Sequence, residues 1–341
     1  MVLRRIRRTA LVLGILVVAT LSTGALYQQW ATSRDAHRFP PPGELIDIGG
    51  RKLHLLCRGV GAPTVVLETS GLGTVTQYQS VQDALAATNK VCSYDRAGLG
   101  WSEPGDRPAT ARHLEDDLQS LLRVAKIPPP YLFVASSAGG LTVELFTRDH
   151  NDEVVGLVWV DALAGEIVDA LPEIDVLQKP ACQAAQWSWT GLVRWQDPLR
   201  LRAVDNPERQ RAAALTYRTS AFNTVCSLTK SFRASAAEIH AAPEMSPSLP
   251  IVVLVHGEPR DLLPDAYEAQ LAAFEPKWRA AQRSFVQRFA AGRFVIAQRT
   301  GHLIASENPQ LIVDSVRQVL RTVSSEPATQ STSGLEKSPR S

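Results

Sequence analysis

Residues 131–148 constrain this chain most. Tyr131-Leu-Phe-Val-Ala135 is a short apolar, β-rich run; Ser136-Ser137-Ala138-Gly139-Gly140 is a run of small residues; and apolar residues then recur at helical spacing up to Arg148. Strand, tight turn with a serine, helix is the layout of a nucleophile elbow, whose strained turn holds the serine Oγ above the strand end. Close packing of that strand against that helix demands small residues two before and two after the nucleophile. Ser137 meets the demand with Ala135 and Gly139, whereas Ser136 would be flanked by Val134 and Ala138. Ser137 is therefore the candidate nucleophile. Ala135 stands at the first glycine of the usual G-x-S-x-G, the smallest departure available, and the competing reading is an ordinary Ser/Ala/Gly-rich connecting turn.

The rest of the chain supplies a sheet for this elbow. Residues 44–57 read as a hairpin, two alternating strands about the Gly49-Gly50 turn. Strands are expected at 64–68, 90–94, 154–160, 250–256 and 293–297, with helices at 81–88, 109–125 and 309–323. The helix at 109–125 carries Leu114, Leu118, Leu121 and Leu122 on one side. Strands alternating with helices imply an α/β fold, with a mostly parallel sheet and helices on both faces. Residues 162–248 differ, with helical periodicity, no strand pattern, several prolines and Trp187, Trp189 and Trp195. Lying between two sheet strands, they read as an inserted helical cap. The expected division is a core of 44–161 and 249–323, the cap at 162–248 and a Ser/Thr/Pro-rich disordered tail at 324–341.

In an open parallel sheet, functional groups gather at the carboxyl ends of strands. His302, in Thr300-Gly301-His302 after the last strand, is the candidate base for the Ser137 proton. Two acids could orient its imidazole: Asp161, straight from the end of strand 154–160, and Asp261, in the loop after strand 250–256. Asp161 is favoured because a strand end fixes its position. The oxyanion formed on attack needs backbone donors. Ala138, next to the nucleophile, and Leu72, in the loop Ser70-Gly71-Leu72-Gly73, are the expected pair.

The N-terminus addresses the chain. Arg4, Arg5, Arg7 and Arg8 precede 9–26, a stretch free of charge and made of apolar or small residues. Residues 1–30 thus read as an export signal or an N-terminal membrane anchor, with 31–43 a polar, Pro-rich linker. Either way the bulk of the chain lies outside the cytoplasmic membrane. Four cysteines fit that compartment; three pairings are open, of which 57–92 and 182–226 are favoured by where the residues fall. A net charge of +2, with four positive charges at the N-terminus, gives no reason to expect nucleic acid as a partner. No metal or organic cofactor is implied.

Several of these segments together resemble the α/β-hydrolase superfamily. They are Tyr94-Asp95-Arg96-Ala97-Gly98-Leu99-Gly100-Trp101-Ser102, the elbow, Gly156-Leu-Val-Trp-Val-Asp161-Ala, and Gly301-His302-Leu-Ile followed by Pro309. The resemblance covers roughly 44–323 and implies the α/β-hydrolase fold and the order nucleophile, acid, histidine, which Asp161 and Asp261 both satisfy. It implies a structural role for the Asp95-Arg96 turn. Dehalogenating and epoxide-opening relatives carry an aspartate at the elbow, and Ser137 argues against both chemistries. Glu68-Thr69-Ser70-Gly71 replaces the common His-Gly before the oxyanion loop. The expectation is a serine hydrolase acting on a small-molecule ester or related acyl bond; perhydrolysis and a non-catalytic binding protein on the same fold are the alternatives. The three cap tryptophans read first as cap core and second as the wall of an apolar substrate site.

Overall fold

The computed structural model describes residues 2–202, 206–258 and 268–325. It opens with a long helix, α1 (Val2–Arg38), and the hairpin β1 (Glu44–Asp47) and β2 (Lys52–Arg58). The core continues with β3 (Thr64–Glu68), α2 (Gln79–Leu85), β4 (Val91–Tyr94), α3 (Ala111–Val124), β5 (Tyr131–Ser136), α4 (Gly139–Asp149) and β6 (Val154–Val160). Then come the helices α5 (Gly165–Ala170), α6 (Gln178–Ser188), α7 (Leu192–Gln196), α8 (Pro207–Thr216), α9 (Thr219–Lys230) and α10 (Phe232–Ala241), with a 3-10 turn at Pro172–Leu177. The core resumes with β7 (Ile251–His256), α11 (Glu268–Val286), β8 (Arg293–Ala297), α12 (Ile304–Glu307) and α13 (Pro309–Ser325).

The eight strands form one sheet in the order β1-β2-β4-β3-β5-β6-β7-β8. The hairpin joins antiparallel at one edge, and every pairing from β4 to β8 is parallel. Side chains alternate across a strand, and the core divides accordingly. Val66, Phe133, Leu157, Trp159 and Val253 face α3, α4 and α11, while Val65, Leu132, Val134, Val158 and Leu254 face α2 and α13. Both faces of the central strands are thus covered, which is why they read as continuous apolar runs. Thr110 caps α3, accepting from the His113 amide, and Leu114, Leu118, Leu121 and Leu122 are buried as the periodicity predicts.

Cys57 is bonded to Cys92 and Cys182 to Cys226, the pairing favoured from the sequence. The first spans directly opposed residues of β2 and β4; the second ties α6 to α9.

Three expectations change. The stretch 31–38, expected to be linker, belongs to α1. Gln28, Ala31 and Asp35, spaced by helical turns, are buried against the helical insertion. Arg194 of α7 donates to Gln28 and Asp35, and Gln28 donates to the Tyr217 carbonyl at 2.8 Å. This buried network makes a docking face out of residues that composition marks as polar. Secondly, Trp187, Trp189 and Trp195 are not core: they are 45%, 44% and 73% exposed. Thirdly, Ser324 and Ser325 complete α13. The remainder of the tail expected at 324–341 lies outside the described residues.

Candidate active site

The carboxyl ends of β5, β6 and β7, and the loop after β8, converge on one point. Ser137 leaves β5 with φ of 50° and Asp161 leaves β6 with φ of 48°, both in the left-handed region that costs a non-glycine residue about 1–3 kcal/mol. Backbone hydrogen bonds hold them there. The Ser137 amide donates to the Val160 carbonyl at 3.2 Å and the Asp161 amide to the Leu254 carbonyl at 2.7 Å, each extending the sheet ladder one residue past its strand. The glycines after the elbow answer a steric demand. A Cβ at Gly139 would lie 2.5 Å from the Thr69 carbonyl oxygen, and one at Gly140 would lie 2.1 Å from that of Leu163.

Around this backbone the polar side chains form one chain of hydrogen bonds. Ser137 Oγ lies 3.0 Å from His302 Nε2, and His302 Nδ1 lies 2.6 Å from Asp161 Oδ2. A neutral imidazole protonated on Nδ1 satisfies both contacts, accepting from the serine hydroxyl and donating to the carboxylate. Asp161 is fully buried and has two further donors. Trp278 Nε1 donates to Oδ1 at 2.8 Å, and His256 Nδ1 approaches Oδ2 at 2.5 Å. The other nitrogen of His256 meets Glu275 Oε2 at 2.6 Å. Burial alone would push the Asp161 carboxyl up; hydrogen bonds from His256 and His302 outweigh it and hold that carboxyl well below the usual carboxylate range. Burial would likewise push His256 down, but its hydrogen bonds to Asp161 and Glu275 raise it to about 10. His256 is therefore an imidazolium, donating to both carboxylates across the neutral range.

The structure places Ser137, His302 and Asp161 within hydrogen-bond distance in series. The alternative acid, Asp261, lies outside the described residues. Leu72 and Ala138 stand at the ends of the paired strands β3 and β5, Leu72 in a turn closed by the Gly73 amide on the Ser70 carbonyl at 3.0 Å and Ala138 at the entry to α4. Arg96, buried, donates to the Ser70 carbonyl and pairs with buried Glu68 at 3.0 Å. Asp95 accepts from the Val75 and Trp101 amides and contacts His54 Nδ1 at 2.8 Å. These residues brace the loop that carries Leu72.

His256, Glu275 and Trp278 were missed from sequence. The one signal was His256 at the carboxyl end of a buried strand, next to the strand that delivers Asp161. Asp161, His256 and His302 also offer three metal-ligand atoms within 4.8 Å of one another. Those atoms are engaged with each other, since both Nδ1 positions point at the same Asp161 oxygen.

A narrow, mostly apolar cavity of about 70 Å³ adjoins Ser137 and His302. Ile174 and Leu177 of the insertion, Phe232, Phe274 and Trp278 line it. Its roof, the 3-10 turn, is tied down by exposed ion pairs, Lys277 to Glu173 and Arg233 to Asp175.

Residues 65–315 match the model of the alpha/beta hydrolase family. An AB hydrolase superfamily protein of Gibberella zeae is 25% identical over 282 residues, 76% of this chain and 87% of that protein. A probable transporter, efuK, of Hormonema carpetanum is 32% identical over 144 residues, 40% of this chain, and the match spans only a fifth of that protein's length. Among solved structures, a thermophilic esterase from Thermogutta terrifontis superposes with a TM-score of 0.58 at 19% identity, covering 80% of this chain and 94% of the esterase.

Proposed function

The chain belongs to the alpha/beta hydrolase family, and from that premise we propose that it is a serine hydrolase cleaving an ester or related acyl bond of a small molecule. The observation that carries this reading is the unbroken relay Ser137 Oγ, His302 Nε2, His302 Nδ1, Asp161 Oδ2, with links of 3.0 and 2.6 Å. In it Ser137 Oγ attacks the acyl carbon while His302 Nε2 takes its proton, and Asp161 stabilises the imidazolium that forms. The amides of Ala138 and Leu72 receive the oxyanion. The proton on Nε2 then passes to the departing alkoxide, leaving an acyl-enzyme on Ser137. Water attacks the acyl carbon, His302 takes its proton, and Ser137 leaves with that proton restored.

The cavity supports a short acyl group. At about 70 Å³ it is far below the ~300–1,000 Å³ of sites that enclose a whole ligand. It holds the acyl portion alone, with the alcohol portion directed outward under the helical insertion, which acts as a cap.

For location, we read α1 as an anchor with its apolar part in the membrane and the hydrolase domain on the extracytoplasmic side. The basic residues before 9–26 set that orientation, and the two disulfides fit an oxidising compartment.

The test is labelling by a fluorophosphonate probe. Intact protein should label and Ser137→Ala should not. Folded protein that fails to label, or a Ser137→Ala variant that still labels, would remove the assignment and bring forward a binding protein built on the same fold.

A further inference from the structure

The three cap tryptophans line neither the core nor the cavity beside Ser137. Trp187, Trp189, Leu192, Trp195 and Leu199 are all 40% or more exposed within thirteen residues of sequence. Trp30 of α1 is 58% exposed as well. Exposed apolar clusters of this kind mark surfaces that meet another phase or another molecule.

Their place on the molecule says which. The insertion clasps α1 close to where its apolar stretch ends. A Cβ at Gly24 would lie 2.2 Å from the Thr190 carbonyl oxygen, and one at Gly191 would lie 2.8 Å from the Tyr27 ring, so the two backbones touch at residues 24–27. From that clasp toward the N-terminus α1 leaves the domain, and residues 2–20 make no protective contact with it. The apolar stretch 9–26 extends for about 27 Å at 1.5 Å per residue, close to the ~30 Å of a bilayer's hydrocarbon layer. Its most apolar window has mean hydropathy 2.1 and is wholly unburied. Trp187 and Trp189 directly precede the clasp residues Thr190 and Gly191, Trp195 stands one helical turn beyond Gly191, and Trp30 lies one turn past Leu26. The exposed indoles of the insertion therefore lie in or next to the segments that meet α1 between Gly24 and Asp35, at and just past the end of its apolar stretch. Arg34 sits over the Trp30 ring, 4.9 Å from its centroid, one turn further from that end. An apolar span, then tryptophan and tyrosine, then arginine is the order of chemistries met on leaving a bilayer.

We propose that the 187–199 face of the cap, with Trp30, is seated in the headgroup layer of the bilayer that 9–26 crosses. This rests on reading α1 as an anchor. The buried Arg194–Asp35–Gln28 network makes the seating rigid, because it locks the cap to the helix that fixes the depth. The roof of the acyl cavity leads directly into α6, whose far end bears Trp187. One helix thus connects the face assigned to the headgroup layer with the roof of the site, and esters carried at the lipid surface are the substrate class this arrangement favours.

The experiment uses the full chain, with Trp30→Phe, in vesicles of phosphatidylcholine and phosphatidylglycerol whose acyl chains are brominated near the glycerol. The shallow bromines should quench the share of the emission that Trp187, Trp189 and Trp195 contribute beside Trp101, Trp159 and Trp278, since indoles at headgroup level lie within their reach. The quenching should vanish when the three are replaced by glutamine, with far-UV circular dichroism confirming the fold. Trp195→Gln alone, at the most exposed position, should remove part of it should the triple variant misfold. Vesicle-bound protein with no quenching would overturn the proposal while leaving the anchor intact. So would blue-shifted emission that ignores bromine and reddens on dilution, the sign of a second copy covering the face. Protein that washes off the vesicles in carbonate would overturn the anchor reading, and the proposal with it.

Discussion

Replacing His256 by glutamine should shift the pH dependence of the serine's reactivity without abolishing it. His256 carries a positive charge at neutral pH, because two carboxylates hold it at about 10. Its ring centroid lies 6.4 Å from that of His302. At an effective dielectric of about 20, two unit charges at that separation repel by about 2.6 kcal/mol, equivalent to about 2 pH units. Solvent on the open side of His302 reduces this toward about 1 unit. A second positive charge on the relay is thus disfavoured while His256 carries one. Glutamine retains a donor for Asp161 but carries no charge. In His256→Gln the acidic limb should therefore move up by about 1–2 pH units, with the plateau changed by a small factor. The assay is the rate of fluorophosphonate labelling of Ser137 against pH, which needs no knowledge of the natural substrate. An unmoved limb, or one displaced downward, would show that His256 is uncharged or uncoupled from His302, and the reasoning would fail.

Asp161→Asn should lower turnover by about 10⁴-fold, because an amide no longer favours the Nδ1-protonated imidazole. Asp261→Asn should change turnover little, and ester hydrolysis by the two variants compares them directly. Arg194→Ala leaves Asp35 and Gln28 buried without their main partner and should cost about 3–5 kcal/mol; the readouts are a lower thermal midpoint and proteolysis within 31–43. The midpoint should also fall at both pH extremes. Asp161, held below its ordinary value of 3.8, stabilises the fold above that value, and this is lost as pH falls further. His256, raised from 6.5, stabilises fully below 6.5, and this is lost as pH rises through about 10.

The sheet was legible because each central strand is an apolar run bounded by turn residues, and the elbow because its flanking residues must be small. Asp161 was legible as a candidate for a related reason: a residue at a strand end has one possible location, and the Leu254 carbonyl pins its amide there. Trp278 and Glu275 were not legible. They lie on α11, a helix that composition did not reveal, and their relevance comes from the way α11 packs across the ends of β6 and β7. The tryptophans were misjudged because exposure is not a property of composition: Trp187, Trp189 and Trp195 have the residue type of a core and the position of a surface. Residues 31–38 were misjudged in the opposite direction. Gln28 and Asp35 look solvated in sequence, and only the partner Arg194, more than 150 residues away, makes their burial tolerable.

The second histidine explains how a carboxylate can stand ionised at the end of β6. A carboxylate fully buried at the end of β6 would, from burial alone, take up a proton. A protonated Asp161 would compete with His302 as a donor, where the Nδ1-protonated imidazole needs an acceptor. The chain avoids that outcome with donors from two directions, Trp278 on one oxygen and His256 on the other. His256 can donate to Asp161 because it ends the neighbouring parallel strand, where Val160 pairs with Leu254, so that Asp161 and His256 lie one and two residues past a paired position. Glu275 then completes the pairing of His256, so that no ionised group in the row lacks a partner of opposite charge. The end of β7 is thereby occupied by the residue that keeps Asp161 ionised. Carboxylate and histidine at these two strand ends form one arrangement, each holding the other in its charged form.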